Sequence, residues 1–397
     1  MAYLVLSNGA VFEGRRIGAP LDRVGELVFT TGMVGYLETL TDPSYFGQIV
    51  THSFPLIGNY GVIPEDFESP QPRLSAYIAR EICSEPANFR SQGKLEDYLT
   101  QAGVIGLQQV DTRTLTKIIR EYGEMNAAIV SELPADLSAF AAKLSQEKLG
   151  SDVYQVSSRQ PRALNQTGRR HIVLWDLGYK QGMATELMSR GCRVTLMPAA
   201  SRAADILAQR PDGILLSNGP GDPASYGAII AEVGHVLSAN IPMFGICLGH
   251  QIMALSQGAL SCKLRYGHRG ANQPVRDLTD GRLYITSQNH GYAIEAETLP
   301  ATARLGFTNL NDLTCEGVDY LDREDIRLLP VAGIIWFPRD DLRLDLVFPR
   351  PRVTFVLPPR PWWSRAESPE TATDVLPRQS REHRLYIGGE LGGGTWA

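Results

Sequence analysis

An apolar run, Ile241 to Ile246, ends in Cys247, and a helix-like pattern, Gln251-Ile252-Met253-Ala254-Leu255, follows at once. Glycines stand two positions to either side, at Gly245 and Gly249. A strand that turns this sharply into a helix is the thiol form of the Gly-x-nucleophile-x-Gly elbow. Such a turn pushes the sulfur out at the sheet edge. The flanking glycines are expected to leave room for a substrate and to relieve the backbone. The free N–H groups of the helix are expected to favour thiolate over thiol.

The sequence around the elbow has the rhythm that such a turn needs. Buried-strand patterns at 171–176, 193–197, 213–217 and 241–246 alternate with helical patterns at 180–190 and 202–209. Apolar strands separated by helices imply a parallel sheet with helices on both faces. Ligands of such sheets bind at the carboxyl ends of the strands. Cys247 and the loop Gly219-Pro220-Gly221 both fall there.

Upstream, residues 1–150 read as a mixed α/β domain. An Asn8-Gly9 turn joins Tyr3–Ser7 to Ala10–Phe12 as a hairpin. Leu27–Phe29, Gly47–Thr51 and Val104-Ile105 read as strands, and Asp111 to Arg120 as a capped amphipathic helix stopped near Gly123. Residues 151–170 are polar and aperiodic, as a linker would be, and 171–326 form the second domain. From 327 to 397 the chain holds ten arginines, nine prolines and no lysine. That bias reads as an atypical, mostly unstructured or frame-shifted tail.

Composition removes several classes of function. The net charge of −5 provides no basic face for nucleic acid and no polybasic membrane anchor. No apolar stretch is long enough to span a membrane, and the first residues lack a signal-peptide pattern. Five scattered cysteines without CxxC spacing argue against a disulfide framework or a zinc site and for a reducing cytoplasm. The Gly219 loop lacks the glycine patterns of nucleotide binding. The pair Asp340-Asp341 reads as solvated surface, and no metal or cofactor is expected in this chain.

Three stretches carry the chemistry. They are the elbow at Cys247, the loop Ser217-Asn218-Gly219-Pro220-Gly221-Asp222-Pro223, and Thr286-Ser287-Gln288-Asn289-His290-Gly291-Tyr292, read as a polar loop able to hold an amide. Together they resemble the class I glutamine amidotransferases. In the first domain, Phe29–Tyr36, Leu40–Tyr45, Gln48–Thr51, Ile57–Gly61 and Val110–Thr116 resemble the carbamoyl-phosphate synthase small chain. Tyr266–Val275 and Asn309–Asp312 do so in the second.

The resemblance implies a glutaminase that passes ammonia to a large subunit, which uses ATP and magnesium to make carbamoyl phosphate. It implies that Cys247 attacks the glutamine amide, with Gly219 and Leu248 supplying oxyanion N–H groups. Ser44, Gly221, Gln251, Asn289, Gly291 and Tyr292 would hold glutamine. The implied partners are therefore the large subunit and glutamine.

The family pattern also calls for a histidine and a glutamate two residues apart, after the Asn309–Asp312 stretch. That place is taken by about Leu328 to Ile335. No histidine lies between His290 and His383, and no His-x-Glu occurs in the chain. A reading-frame shift near Arg327 accounts for both this loss and the composition of the tail. A chain that has lost its base and only docks on the large subunit is the alternative. His250, His268 and His290 are expected to pack or to sit in loops rather than to replace the base.

Overall fold

The computed structural model describes residues 1–150 and 152–320. Past residue 320 it describes the backbone of five strands, Ile326–Leu328, Gly333–Arg339, Leu342–Val347, Arg352–Val356 and Arg384–Gly388. These strands depart from the expectation of an unstructured tail. The alternation Leu342, Leu344, Leu346 has the strand period. The rest of that expectation, including His383 and Asp340-Asp341, lies outside the described residues.

The first domain is a closed barrel of seven strands. Its opening hairpin pairs Ala2–Leu6 with Val11–Gly18, with Val5 opposite Val11. Gly9 takes the left-handed conformation that the turn requires, and Asn8 Oδ1 accepts the Ala10 N–H. The strands expected near 27, 47 and 104 are Arg23–Thr30, Gln48–His52 and Ile105–Gln108. Helix Thr112–Tyr122 is capped by Asp111, whose carboxylate accepts the Thr114 N–H at 3.0 Å. Its buried Leu115 and Ile119 close the barrel core.

The second domain begins earlier than its composition suggests. Within the supposed linker, Val153–Val156 is a helical turn with Val153 fully buried. Arg162–Asn165 pairs antiparallel with Cys192–Pro198 as an edge strand. Four residues, Arg162-Ala163-Leu164-Asn165, are too few to carry a period, so the strand left no sequence signal. The parallel part of the sheet runs Cys192–Pro198, Arg170–Asp176, Gly213–Leu216, Met243–Gly245. Trp175 lies fully buried at its centre.

A second, antiparallel sheet follows. Ser261–Asp277 pairs with both Leu283–Ile294 and Ala303–Asn309, and the latter pairs with Cys315–Tyr320. Residues 286–292 are therefore strand and not loop, and His268 and His290 stand on paired strands. Their polar side chains obscured the period, and the pairing is interrupted by register shifts between 263 and 268 and between 270 and 273. Ile294, Cys315, Val318 and Tyr320 share one core with the parallel sheet.

The domains meet along the same strand. Tyr266 packs on the barrel core beneath Arg120, whose guanidinium lies 5.8 Å from the ring centre. Elsewhere Gln181 and Gly182, at the start of helix Gln181–Ser189, donate their N–H groups to Glu68.

Candidate active site

Cys247 sits between strand Met243–Gly245 and helix Leu248–Leu255 with φ 52° and ψ −111°. A non-glycine residue at positive φ is strained, and the surroundings must hold it there. The neighbouring glycines do so by allowing close backbone packing. A Cβ at Gly245 would come within 2.5 Å of the His250 nitrogen, and one at Gly249 within 2.5 Å of the Leu216 carbonyl oxygen. The expected room for substrate is thus a correction: the glycines make room for the elbow itself.

The thiol opens into a cavity of about 500 Å³ between the domains. Ser44 comes to it from the first domain, Gly219 and Gly221 from the loop, Cys247 and Gln251 from the elbow, and Asn289, Gly291 and Tyr292 from one strand. Of the residues that the resemblance assigns to attack, oxyanion or glutamine, Leu248 alone does not line this space. Its side chain is buried, and its backbone N–H acts on the thiol. Gln251 Nε2 donates to the Tyr292 carbonyl at 2.7 Å, which ties helix to strand across the floor.

Charge at the thiol runs against the simple elbow argument. Burial pushes Cys247 up to about 12, and the Asp42 carboxylate adds to that. Lys180 and the Leu248 N–H pull in the opposite direction and do not prevail. The expectation of a thiolate favoured by the helix is therefore corrected: desolvation outweighs the helix N-terminus. Sγ lies 3.4 Å from the Asn289 carbonyl oxygen, to which the thiol donates.

Asp42 is a site residue that sequence reasoning missed. It is 2% exposed and accepts the Ser44 N–H at 2.9 Å, Asn289 Nδ2 at 3.0 Å and Asn218 Nδ2 at 3.4 Å. Asn218 also donates to Ser44 Oγ at 2.8 Å. Lys180 Nζ completes the set at 2.9 Å. Burial works against the Lys180 ammonium, but Asp42 and Glu68 outweigh it and hold its titration above the usual range. An aspartate before Pro43 reads as a turn cap, which it also is; only the fold brings Lys180 to it.

Glu26, Glu124, Lys263 and Arg269 also line the cavity and also escaped notice. Arg269 pairs with Glu124, and Lys263 with Glu26. Both pairs join the barrel to the second domain. Their signal is long-range charge pairing, which no local motif records.

Among the described residues, no imidazole is hydrogen-bonded to Cys247 Sγ. His290 Nδ1 bonds the Tyr292 carbonyl, and its Nε2 faces Gln288 and Glu316. His268 lies between Glu316 and Asp312. His250 is buried in the elbow helix and pushed down to about 4 by that burial. The stretch where the histidine and glutamate of the family pattern belong, about 328–335, lies outside the residues whose side chains are described.

Residues 4–129 match the family described as carbamoyl-phosphate synthase small chain, CPSase domain, and residues 173–325 match glutamine amidotransferase class-I. A carbamoyl phosphate synthase small chain of Bacillus cereus (strain ATCC 14579) is 45% identical over 316 residues, covering 79% of this chain and 86% of that one. The Clostridium perfringens small chain is 43% identical over 337 residues, covering 85% and 93%. That of Symbiobacterium thermophilum is 42% identical over 340 residues, covering 84% and 92%. No helix among the described residues is long and apolar enough to cross a membrane.

Proposed function

This chain belongs to the carbamoyl-phosphate synthase small-chain family, and we propose that Cys247 opens the side-chain amide of glutamine to supply ammonia. Sγ attacks the amide carbon, the carbon–nitrogen bond breaks as the thiol proton passes to the departing nitrogen to give ammonia, and a glutamyl thioester remains for water to hydrolyse. The N–H groups of Gly219 and Leu248 bear the oxyanion. Ser44, Gly221, Gln251, Asn289, Gly291 and Tyr292 hold the glutamine. The ammonia serves a large subunit, which uses ATP and magnesium to build carbamoyl phosphate. The observation that carries this reading is the convergence of Cys247, Ser44, Gln251, Asn289 and Tyr292 on one cavity.

A second reading rests on the state of the thiol. With Cys247 pushed up to about 12 and no imidazole bonded to it among the described residues, attack is slow. The loss expected from missing triad partners is roughly 10⁴- to 10⁶-fold. The chain as it stands then serves chiefly to dock on the large subunit, which uses free ammonia. A reading-frame shift near Arg327 explains how a family member came to this state.

Reconstitution with a large subunit tests both readings. Carbamoyl phosphate synthesis is measured with glutamine and, separately, with ammonium. Ammonia-driven synthesis with little glutamine-driven synthesis is expected, and glutamine use should return when a His-Pro-Glu-like segment replaces 328–335. The frame shift is rejected if no other frame of the gene encodes such a segment. Failure of the repaired chain to use glutamine would reject the glutaminase reading.

A further inference from the structure

Three strands behind the cavity bring together two imidazoles and a carboxylate. His268 lies on Ser261–Asp277, His290 on Leu283–Ile294 and Glu316 on Cys315–Tyr320. One ligating atom from each lies within 4.8 Å of the others. We propose that His268, His290 and Glu316 form a site for one divalent transition-metal ion of the zinc and cobalt class. This goes beyond the glutaminase reading and uses none of the cysteines.

Donor geometry carries the argument. His268 Nε2 lies 2.7 Å from Asp312 Oδ2, and His290 Nδ1 lies 2.8 Å from the Tyr292 carbonyl oxygen. Both partners are acceptors, so these two nitrogens carry hydrogen. The opposite nitrogens turn toward one carboxylate. His268 Nδ1 is 2.9 Å from Glu316 Oε1, and His290 Nε2 is 3.3 Å from Glu316 Oε2. A cation seated between the three groups would meet one nitrogen of each ring and the Glu316 carboxylate, all within 4.8 Å of one another.

The outer contacts match those of a metal site. Ligating histidines characteristically donate their far N–H to a carboxylate or a backbone carbonyl, and here one does each. Two histidines and a carboxylate are the donor set of zinc sites that keep an open position. Gln288 Oε1, 3.2 Å from His290 Nε2, offers a neutral fourth oxygen. Asn309 Nδ2 lies 3.3 Å from both His268 Nδ1 and Glu316 Oε1, and Thr314 Oγ1 donates to Glu316 Oε1 at 3.1 Å. Both side chains thus hold the carboxylate in place. The ligands are well enclosed, with side-chain exposures of 7%, 10% and 1%. His250 is also buried among the groups whose charge acts on it, Glu316 and His290, and both of its ring nitrogens lack a hydrogen-bond partner. An ion here would clamp the strand that carries Asn289, Gly291 and Tyr292 to the cavity.

The test is cobalt binding by the full chain after chelator treatment. Titration with Co²⁺ should give visible d–d absorption that saturates at one equivalent and is displaced by Zn²⁺. The Cys247→Ser chain should behave identically. His268→Gln and Glu316→Gln should abolish the band, and Asp312→Asn should weaken binding about 10- to 100-fold. One equivalent of Zn²⁺ should also raise the melting temperature of the unaltered chain, as any ligand selective for the native state does. Absence of both the band and the melting shift overturns the proposal. Binding that survives both His268→Gln and Glu316→Gln, or that is lost with Cys247→Ser, overturns it as well.

Discussion

Lys180 Nζ lies 2.9 Å from Asp42 Oδ2, and this ion pair joins the barrel to the amidotransferase domain at the edge of the thiol cavity. Asp42 is the more enclosed partner, with 3% of its side chain exposed against 29% for Lys180. The same carboxylate orients Ser44 and Asn289.

Asp42→Ala leaves the Lys180 ammonium without its paired carboxylate and the Asn289 amide without that acceptor, while Asn218 keeps Ser44 Oγ. Removing one member of an enclosed pair costs about 3 kcal/mol, and chemical denaturation reads that loss directly. Removing both partners together, in Asp42→Ala with Lys180→Met, should restore part of it. A loss in the double variant equal to the sum of the losses in Asp42→Ala and Lys180→Met alone would show that the pair contributes no coupling.

The reactivity of Cys247 with a neutral alkylating agent should climb with pH and not level off in the usual thiol range. With the group pushed up to about 12, about one thiol in 10⁴ is ionised at pH 8. The thiolate is the reacting form, so the rate should rise about tenfold per pH unit through pH 10. Iodoacetamide kinetics followed by mass spectrometry of the Cys247 peptide measures this. A plateau near pH 8.5 would contradict the enclosed, unassisted thiol.

Gly249→Ala should damage the elbow although alanine is small. Its Cβ would meet the Leu216 carbonyl oxygen at 2.5 Å and the Leu216 Cβ at 2.7 Å. Overpacking of this kind costs about 1–3 kcal/mol. The melting temperature should fall, whereas Gly227→Ala, where a Cβ meets nothing within 4 Å, should leave it nearly unchanged.

His52 makes the barrel sensitive to acid. Its Nε2 bonds the Gly32 carbonyl at 2.7 Å, and its Nδ1 accepts the Tyr77 hydroxyl at 2.8 Å, so the ring is neutral. Burial pushes its titration down to about 4, against the pull of the Gly32 carbonyl. The folded value lies below the unfolded one, so the unfolded chain takes up the proton first. Stability from this group is complete above pH 6.5 and is lost as pH falls toward 4, to a total of about 3 kcal/mol. Urea midpoints across that window should decline, and the decline should shrink in His52→Gln.

Local chemistry made much of this molecule legible in its sequence. The parallel strands, the Asn8-Gly9 hairpin, the Asp111 cap and the Cys247 elbow each depend on residues within a few positions of one another. The cavity residues could be named because they stand in contiguous motifs. What escaped depends on distance along the chain. Asp42 meets Lys180 and Arg269 meets Glu124 only where the two domains come together, and His268 meets Glu316 only when the second sheet forms. The stretch 286–292 resembled a loop because the fold, and not an apolar period, makes its polar residues a strand. The thiol was misjudged for a related reason: the helix N-terminus is visible in sequence, whereas the burial that overrides it is not.

The central claim is that Cys247 is the atom that meets glutamine, and site-directed labelling tests it most directly. The full chain is treated at high pH with a glutamine-like diazo-ketone, digested and sequenced by mass spectrometry. The account predicts one modified cysteine, Cys247, protected by added glutamine and untouched by diazo-ketones of unrelated amides. Modification of Cys83, Cys192, Cys262 or Cys315 in its place, or labelling of Cys247 that glutamine does not slow, would contradict it.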